Sequence, residues 1–231
     1  NAWTVFVAAF VTAVATGFGV APFLFVREMS RWWLGVSNAI AAGLMLAASH
    51  GLLVEGSTYD PWRTIVGFLL GAGLIAASRR LVAAREDLHV GALRGADALK
   101  ALTIVGVMTL HSMAEGVGVG VSYGGGEELG VFITTAIAAH NIPEGLAISL
   151  VLVPRGVGVW SAAGWSVFSS LPQPALAVPA FVFVTLFEPL LPIGLGLAAG
   201  AMIWMALAEL LPDALKQASP ATIASTVLVS V

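Results

Sequence analysis

Two segments of this chain place a histidine and a glutamate four residues apart inside otherwise apolar runs, His111-Ser-Met-Ala-Glu115-Gly and His140-Asn-Ile-Pro-Glu144-Gly. In a helix that spacing puts both side chains on one face, one turn apart. A charge at the centre of an apolar span costs about 2.5–3.5 kcal/mol on insertion scales, so such a residue faces a bundle interior or a cavity. Each pair lies near the middle of its run, so the two faces can meet at one depth. Two imidazoles and two carboxylates converging where water is scarce have an evident common partner. A divalent cation offsets the carboxylate charge and accepts nitrogen and oxygen ligands together. The plain alternative is a pair of His–Glu hydrogen bonds joining two helices; two copies on adjacent spans favour the ion. Pro143 sharpens the second segment, because an internal proline removes a backbone donor and frees the carbonyl of Ala139. Inside a bilayer that carbonyl needs a partner, and a nearby ion or water serves.

The elements that must position these residues follow from composition. Of 231 residues, 58% are hydrophobic and 10% charged, with a mean hydropathy of +0.95. A soluble domain carries about 25% charged residues, so this chain belongs in a bilayer. A net charge of −3 excludes the clustered basic face that nucleic acid requires. The absence of cysteine removes disulfides, cysteine-based zinc sites and thiol catalysis. No basic segment precedes the first apolar run, so no targeting peptide is expected at Asn1.

Charged residues divide the chain into spans at about 2–25, 32–54, 61–80, 101–124, 129–153, 157–185 and 189–215, with the start of an eighth at 220–231. These lengths suit the roughly 20 apolar residues that cross the hydrocarbon core. The expected fold is an all-α polytopic bundle, residues 1–231 forming one transmembrane domain. With the N-terminus outside, nine of ten basic residues fall on the cytoplasmic side, Arg63 being the exception. Trp3, Trp32, Trp33, Trp62 and Trp160 sit near span ends, where interfacial aromatics belong.

At its two His/Glu segments the chain resembles the ZIP family of divalent metal transporters. His140-Asn141-Ile142-Pro143-Glu144-Gly145 is similar to that family's fifth-span signature, and His111…Glu115-Gly116 to its fourth-span counterpart. Ser170-Leu-Pro-Gln-Pro174 and Met202-Ile-Trp204 are closer in wording to a plant and photosynthetic-lineage branch. The resemblance implies eight spans grouped three, two and three, the outer triplets being inverted repeats. Ala41-Ala42-Gly43-Leu44-Met45 recurring as Ala198-Ala199-Gly200-Ala201-Met202 supports such a repeat. It also implies a transport site of two adjacent metal positions. The first matches His111, Glu115, His140 and Glu144, with Met45 beside them. The second departs from the family pattern: Ser112 stands where Asn is common, Asn141 where Asp occurs in some members, and Gln173 where Glu is frequent. Neutral residues bind a dication far less well, so one ion is expected rather than two.

The function expected is transport of a divalent metal, zinc foremost, toward the cytoplasm by alternating access of this midplane site. Fe²⁺, Mn²⁺, Co²⁺ or Cd²⁺ also suit mixed His/Glu ligation, and no prosthetic group is expected. The rival is an intramembrane zinc-dependent hydrolase. That would keep a dedicated general base and often a His-Glu-x-x-His motif, which is absent. A structural metal clamp is a third reading. His50 and Glu55 lie toward the outer end of span two, and Glu209 and Asp213 toward the inner end of span seven, where they could receive and pass on metal. Arg85-Glu86-Asp87-Leu88-His89 reads as a solvated loop. The partners expected are the metal ion, the lipid bilayer of a plasma membrane or organelle envelope, and at most a second copy of the chain as a homodimer.

Overall fold

The computed structural model describes residues 1–26, 30–83 and 96–231. The segment Arg85–His89, together with Arg27 and Arg94 of the orientation argument, lies outside them. No strand occurs among the described residues. The helices are α1 (Ala2–Gly17), α2 (Arg31–Tyr59), α3 (Pro61–Ala83), α4 (Ala96–Gly125), α5 (Glu127–Leu152), α6 (Val159–Ser170), α7 (Pro172–Leu186), α8 (Leu191–Met205), α9 (Leu211–Leu215) and α10 (Pro220–Ser230). A tight 3-10 stretch, Phe18–Leu24, extends α1, and a π-helical turn, Ala206–Leu210, joins α8 to α9. Five stretches of the described chain are long and apolar enough to cross a membrane: Ala2–Leu24, Arg31–Tyr59, Glu127–Arg155, Val159–Leu186 and Leu191–Leu215. The chain is an all-α, polytopic membrane bundle.

Local chemistry sets the helix ends. Asp60 accepts from the backbone N–H groups of Trp62 and Arg63, both at 3.0 Å, and caps α3. Ser219 does the same for α10 through Thr222 N–H at 3.2 Å, ahead of Pro220. Between α4 and α5 stands Gly126 alone, with φ +149°, a conformation that an L side chain rarely adopts. The two helices bearing the His/Glu pairs therefore form one antiparallel hairpin. The uncharged run at 157–185 is broken at Leu171 into α6 and α7, because Pro172 has no N–H to continue the ladder.

Lipid tails are as apolar as leucine, so helix association in a bilayer depends on close van der Waals approach at small residues. Glycine supplies that approach at four seams. On α3 and α8, Gly67 and Gly71 face Gly196 and Gly200. A Cβ on Gly71 would lie 2.0 Å from the Leu197 carbonyl oxygen, and one on Gly200 2.0 Å from that of Phe68. On α2, Gly43 approaches the Val227 carbonyl of α10. On α4, Gly116 and Gly120 lie against the backbone of Gln173 and Ala177 in α7. On α5, Gly145 lies against the Thr16 carbonyl of α1.

These seams occur in exchanged pairs. Swapping α2 with α8 and α3 with α10 turns the α8–α3 seam into the α2–α10 seam. Swapping α4 with α5 and α7 with α1 turns the α4–α7 seam into the α5–α1 seam. The paired seams are compatible with the inverted repeat that the resemblance implies. Both copies of the recurring five-residue segment serve it. Met45 and Met202 are fully buried in the common core, with Gly43 and Gly200 each turned to its seam.

Outward, large apolar side chains such as Phe10, Leu69, Leu70, Phe183 and Leu186 are exposed, as lipid contact requires. Trp3, Trp62 and Trp160 are exposed close to the starts of their helices.

The seams make a testable contrast. Gly71→Ala forces α3 away from α8 and should destabilise by about 1–3 kcal/mol, the usual range for overpacking. Gly73→Ala, two residues on, meets nothing within 4 Å and should be neutral or stabilising by up to about 1 kcal/mol through helix propensity. Thermal unfolding of the two variants in detergent separates them.

Candidate metal centre

The hairpin of α4 and α5 brings its two motifs face to face at complete burial. His111, Glu115, His140 and Glu144 are each no more than 2% exposed. Ligand atoms of Glu115, His140 and Glu144 all lie within 4.8 Å of one another. His140 Nε2 is 2.9 Å from Glu115 Oε1 and 4.0 Å from Glu144 Oε1. The other ring nitrogen, Nδ1, lies 3.2 Å from the Ala136 carbonyl oxygen. A carbonyl only accepts, so Nδ1 carries the proton and Nε2 is the nitrogen left to coordinate. A proton on Nε2 makes the hydrogen bond to Glu115; a metal ion takes that proton's place.

Glu144 Oε1 has no hydrogen-bond partner among the described residues, although the atom is fully shielded from solvent. Leaving a buried acceptor without a donor costs about 1–3 kcal/mol, and more when the group is charged. Two carboxylates therefore share one dry pocket with less compensation than their charge demands. A dication seated between Glu115, His140 and Glu144 would supply it. The donor set of one imidazole nitrogen and carboxylate oxygens, without sulfur, suits zinc and related divalent ions.

The fourth sequence candidate, His111, is buried as well and meets a further carboxylate. Its Nε2 is 3.1 Å from Glu209 Oε2. Glu209 belongs to the π-helical turn Ala206–Leu210, where Leu211 N–H reaches back five residues to the Ala206 carbonyl. Pro212 follows at once with no N–H of its own, and a widened turn is a common accommodation of a broken ladder. The turn resets the register of the helix and brings the carboxylate to His111. The sequence marked Glu209 as a polar residue near the end of its span, without linking it to His111. The signal present was Glu209 three residues before Pro212.

The remaining candidates divide. Met45 is fully buried in the apolar core with Ala41, Ala42 and Ala48. Ser112 is buried and turned toward Ser170, with 3.4 Å between the hydroxyl oxygens. Asn141 donates through Nδ2 to the Thr12 carbonyl at 2.7 Å and to Gln173 Oε1 at 3.2 Å. Gln173 in turn donates through Nε2 to Glu115 Oε2. Thr12 was missed by sequence reasoning; the faint signal was Thr12 and Thr16 four residues apart in an otherwise apolar run.

Comparison with known proteins agrees with this chemistry. The family model described as ZIP Zinc transporter matches residues 85–230. The chain is 48% identical over 222 residues to a protein of Arabidopsis thaliana named "Putative zinc transporter At3g08650", covering 95% of this chain and 36% of that protein. It is 32% identical over 227 residues to "Zinc transporter GufA" of Myxococcus xanthus, covering 90% of this chain and 87% of that protein. It is 35% identical over 127 residues to "Zinc transporter ZIP11" of Homo sapiens, covering 49% of this chain and 35% of that protein. The chain thus spans about a third of the length of the plant and human relatives and most of the bacterial one. These relatives are all named as zinc transporters. The chain belongs to the ZIP zinc transporter family.

Proposed function

We propose that this chain carries divalent metal ions, zinc foremost, across a membrane toward the cytoplasm by alternating access of a site built from Glu115, His140 and Glu144. One observation carries the reading: three ligand atoms gathered within 4.8 Å at full burial, one of them a Glu144 oxygen with no hydrogen-bond donor among the described residues. An ion arriving from outside sheds water, binds deprotonated His and Glu, and cancels the charge that makes the empty pocket costly. His111 and Glu209 form the next polar pair, and lie on the path by which the ion leaves. Fe²⁺, Mn²⁺, Co²⁺ and Cd²⁺ fit the same nitrogen and oxygen ligands, so competition among metals is part of the reading. The chain is oriented with its N-terminus outside, supported by the side on which nine of its ten basic residues fall.

Ligand variants test the site. Glu144→Gln keeps volume and removes the charge, and should leave a folded protein whose metal affinity falls more than about 100-fold, beyond the 10–100-fold typical of lost outer-shell partners. Uptake into liposomes should collapse with it. His140→Ala should be milder, since water can replace a neutral ligand. Met45→Leu should be milder still, a near volume-conserving change in the apolar core that leaves all three ligands in place. Near-normal uptake by Glu144→Gln would remove that residue from the transport site.

Sidedness has its own test. The chain contains no cysteine, so Ala92→Cys creates a single target in the segment between α3 and α4. An impermeant thiol reagent applied outside intact cells should leave it unlabelled until the membrane is opened. Labelling from outside would reverse the orientation.

A further inference from the structure

Arg63 is the one basic residue that the orientation proposed above leaves on the outer side, and neither the glycine seams nor the metal centre uses it. It stands in the first turn of α3. Its Nη1 donates to the Pro189 carbonyl at 2.9 Å, and its Nε lies 3.4 Å from Asp60 Oδ2. Half of the side chain remains exposed. A guanidinium carries five N–H donors in a planar fork, so these two contacts leave donors for an anion. Pro189 lies just ahead of α8, and the surface on either side of α8 is hollow from there. Helices α7 and α8 both pack on α4, leaving between them a groove of about 460 Å³ over Val117 and Val121, walled by Phe183, Leu190 and Leu197 among others. Between α3 and α8 a second groove, of about 350 Å³, is lined by Ile65, Val66 and Leu69, with Trp62 and Arg63 at its outer end. Ile193 borders both. Each volume lies within the roughly 300–1,000 Å³ of ordinary ligand sites. Apolar walls at membrane depth do not hold water, so hydrocarbon fills these grooves.

We propose that the outer end of α8 is a phospholipid site, with the phosphate on Arg63 and one acyl chain in each of the two grooves. A diacyl phospholipid has the matching layout: one anionic group at the membrane surface and two apolar chains running inward from it. A free anion would use Arg63 and neither groove. A single-chain lipid would leave one groove unfilled, and an uncharged diacyl lipid would leave the guanidinium unused. Trp62, 75% exposed beside Arg63, stands at headgroup level, where indole rings belong. Asp60, on the other side of the guanidinium, gives an ammonium-bearing headgroup a counter-charge. A basic residue on the side where basic residues are scarce thereby has a lipid partner.

Native mass spectrometry of the chain released from detergent tests this, with phosphatidylethanolamine as the added probe. One molecule per chain should be retained ahead of the statistical ladder of further adducts. Diacylglycerol with the same chains lacks the phosphate, and lyso-phosphatidylethanolamine lacks one chain. Each should bind about tenfold more weakly, the loss expected for one charge-assisted hydrogen bond or one emptied groove. Inorganic phosphate should not displace the bound lipid. Arg63→Gln should weaken phosphatidylethanolamine about tenfold and leave diacylglycerol unchanged. Leu197→Trp fills the α7–α8 groove, and should weaken both diacyl lipids while sparing the lyso-lipid. A ladder with no preferred first adduct, the pattern of bulk lipid only, would overturn the site. So would equal binding of phosphatidylethanolamine and either comparison lipid. If Arg63→Gln does not fold, Leu197→Trp and the lipid comparisons on the unmodified chain decide. The rival occupant of the α3–α8 groove is a second copy of the chain. The chain contains no cysteine, so Leu69→Cys gives a single oxidisable site, which should yield no cross-linked pair in native membranes. Cross-linked pairs that carry no lipid adduct would overturn the proposal.

Discussion

Burying two carboxylates in a pocket without water is the constraint around which this molecule is arranged. Glu115 and Glu144 are both effectively inaccessible, and each ionised group placed in a low-dielectric interior costs several kcal/mol unless partners repay it. The protein supplies partial repayment to Glu115, through His140 on one oxygen and Gln173 on the other. It supplies less to Glu144, one of whose oxygens has no donor among the described residues. That imbalance is what supports the proposal of a cation at this site. A fully satisfied His–Glu network would hold two helices together and have no use for an ion.

The glycine seams serve the same end. Ligands on α4 and α5 can converge only if their helices are held at fixed depth against α7 and α1, and backbone-to-backbone contact at Gly116, Gly120 and Gly145 does this without bulky side chains. Gly116 is adjacent to Glu115, so the same approach that packs α4 on α7 delivers Gln173 to the carboxylate. Packing and chemistry share residues here, and a substitution at Gly116 would disturb both.

Much of this could be read from the sequence because membrane chains offer few ambiguities. Charged residues inside apolar runs are expensive, so His111, Glu115, His140 and Glu144 announced a site by type and spacing alone. Three of them converge as the helical period requires. That His111 also meets Glu209 was not legible, because a π-helical turn places Glu209 and sequence periodicity assumes an uninterrupted ladder. Thr12 gave only a faint signal, for a different reason. A lone hydroxyl in an apolar helix usually bonds its own backbone, and Thr12 does so with Ala9 as well as meeting Gln173. The break between α6 and α7 lay in an uncharged run, where charge punctuation gives no mark and only the prolines hint at it.

The central claim is that the transported ion sits between Glu115, His140 and Glu144. Anomalous X-ray scattering at the zinc edge from zinc-loaded crystals locates the ion directly. The account predicts a peak about 2.0–2.1 Å from His140 Nε2 and about 2.0–2.2 Å from oxygens of Glu115 and Glu144, the ordinary zinc–ligand distances. A zinc-loaded protein active in transport whose only intramembrane peak lies away from these three residues would contradict it.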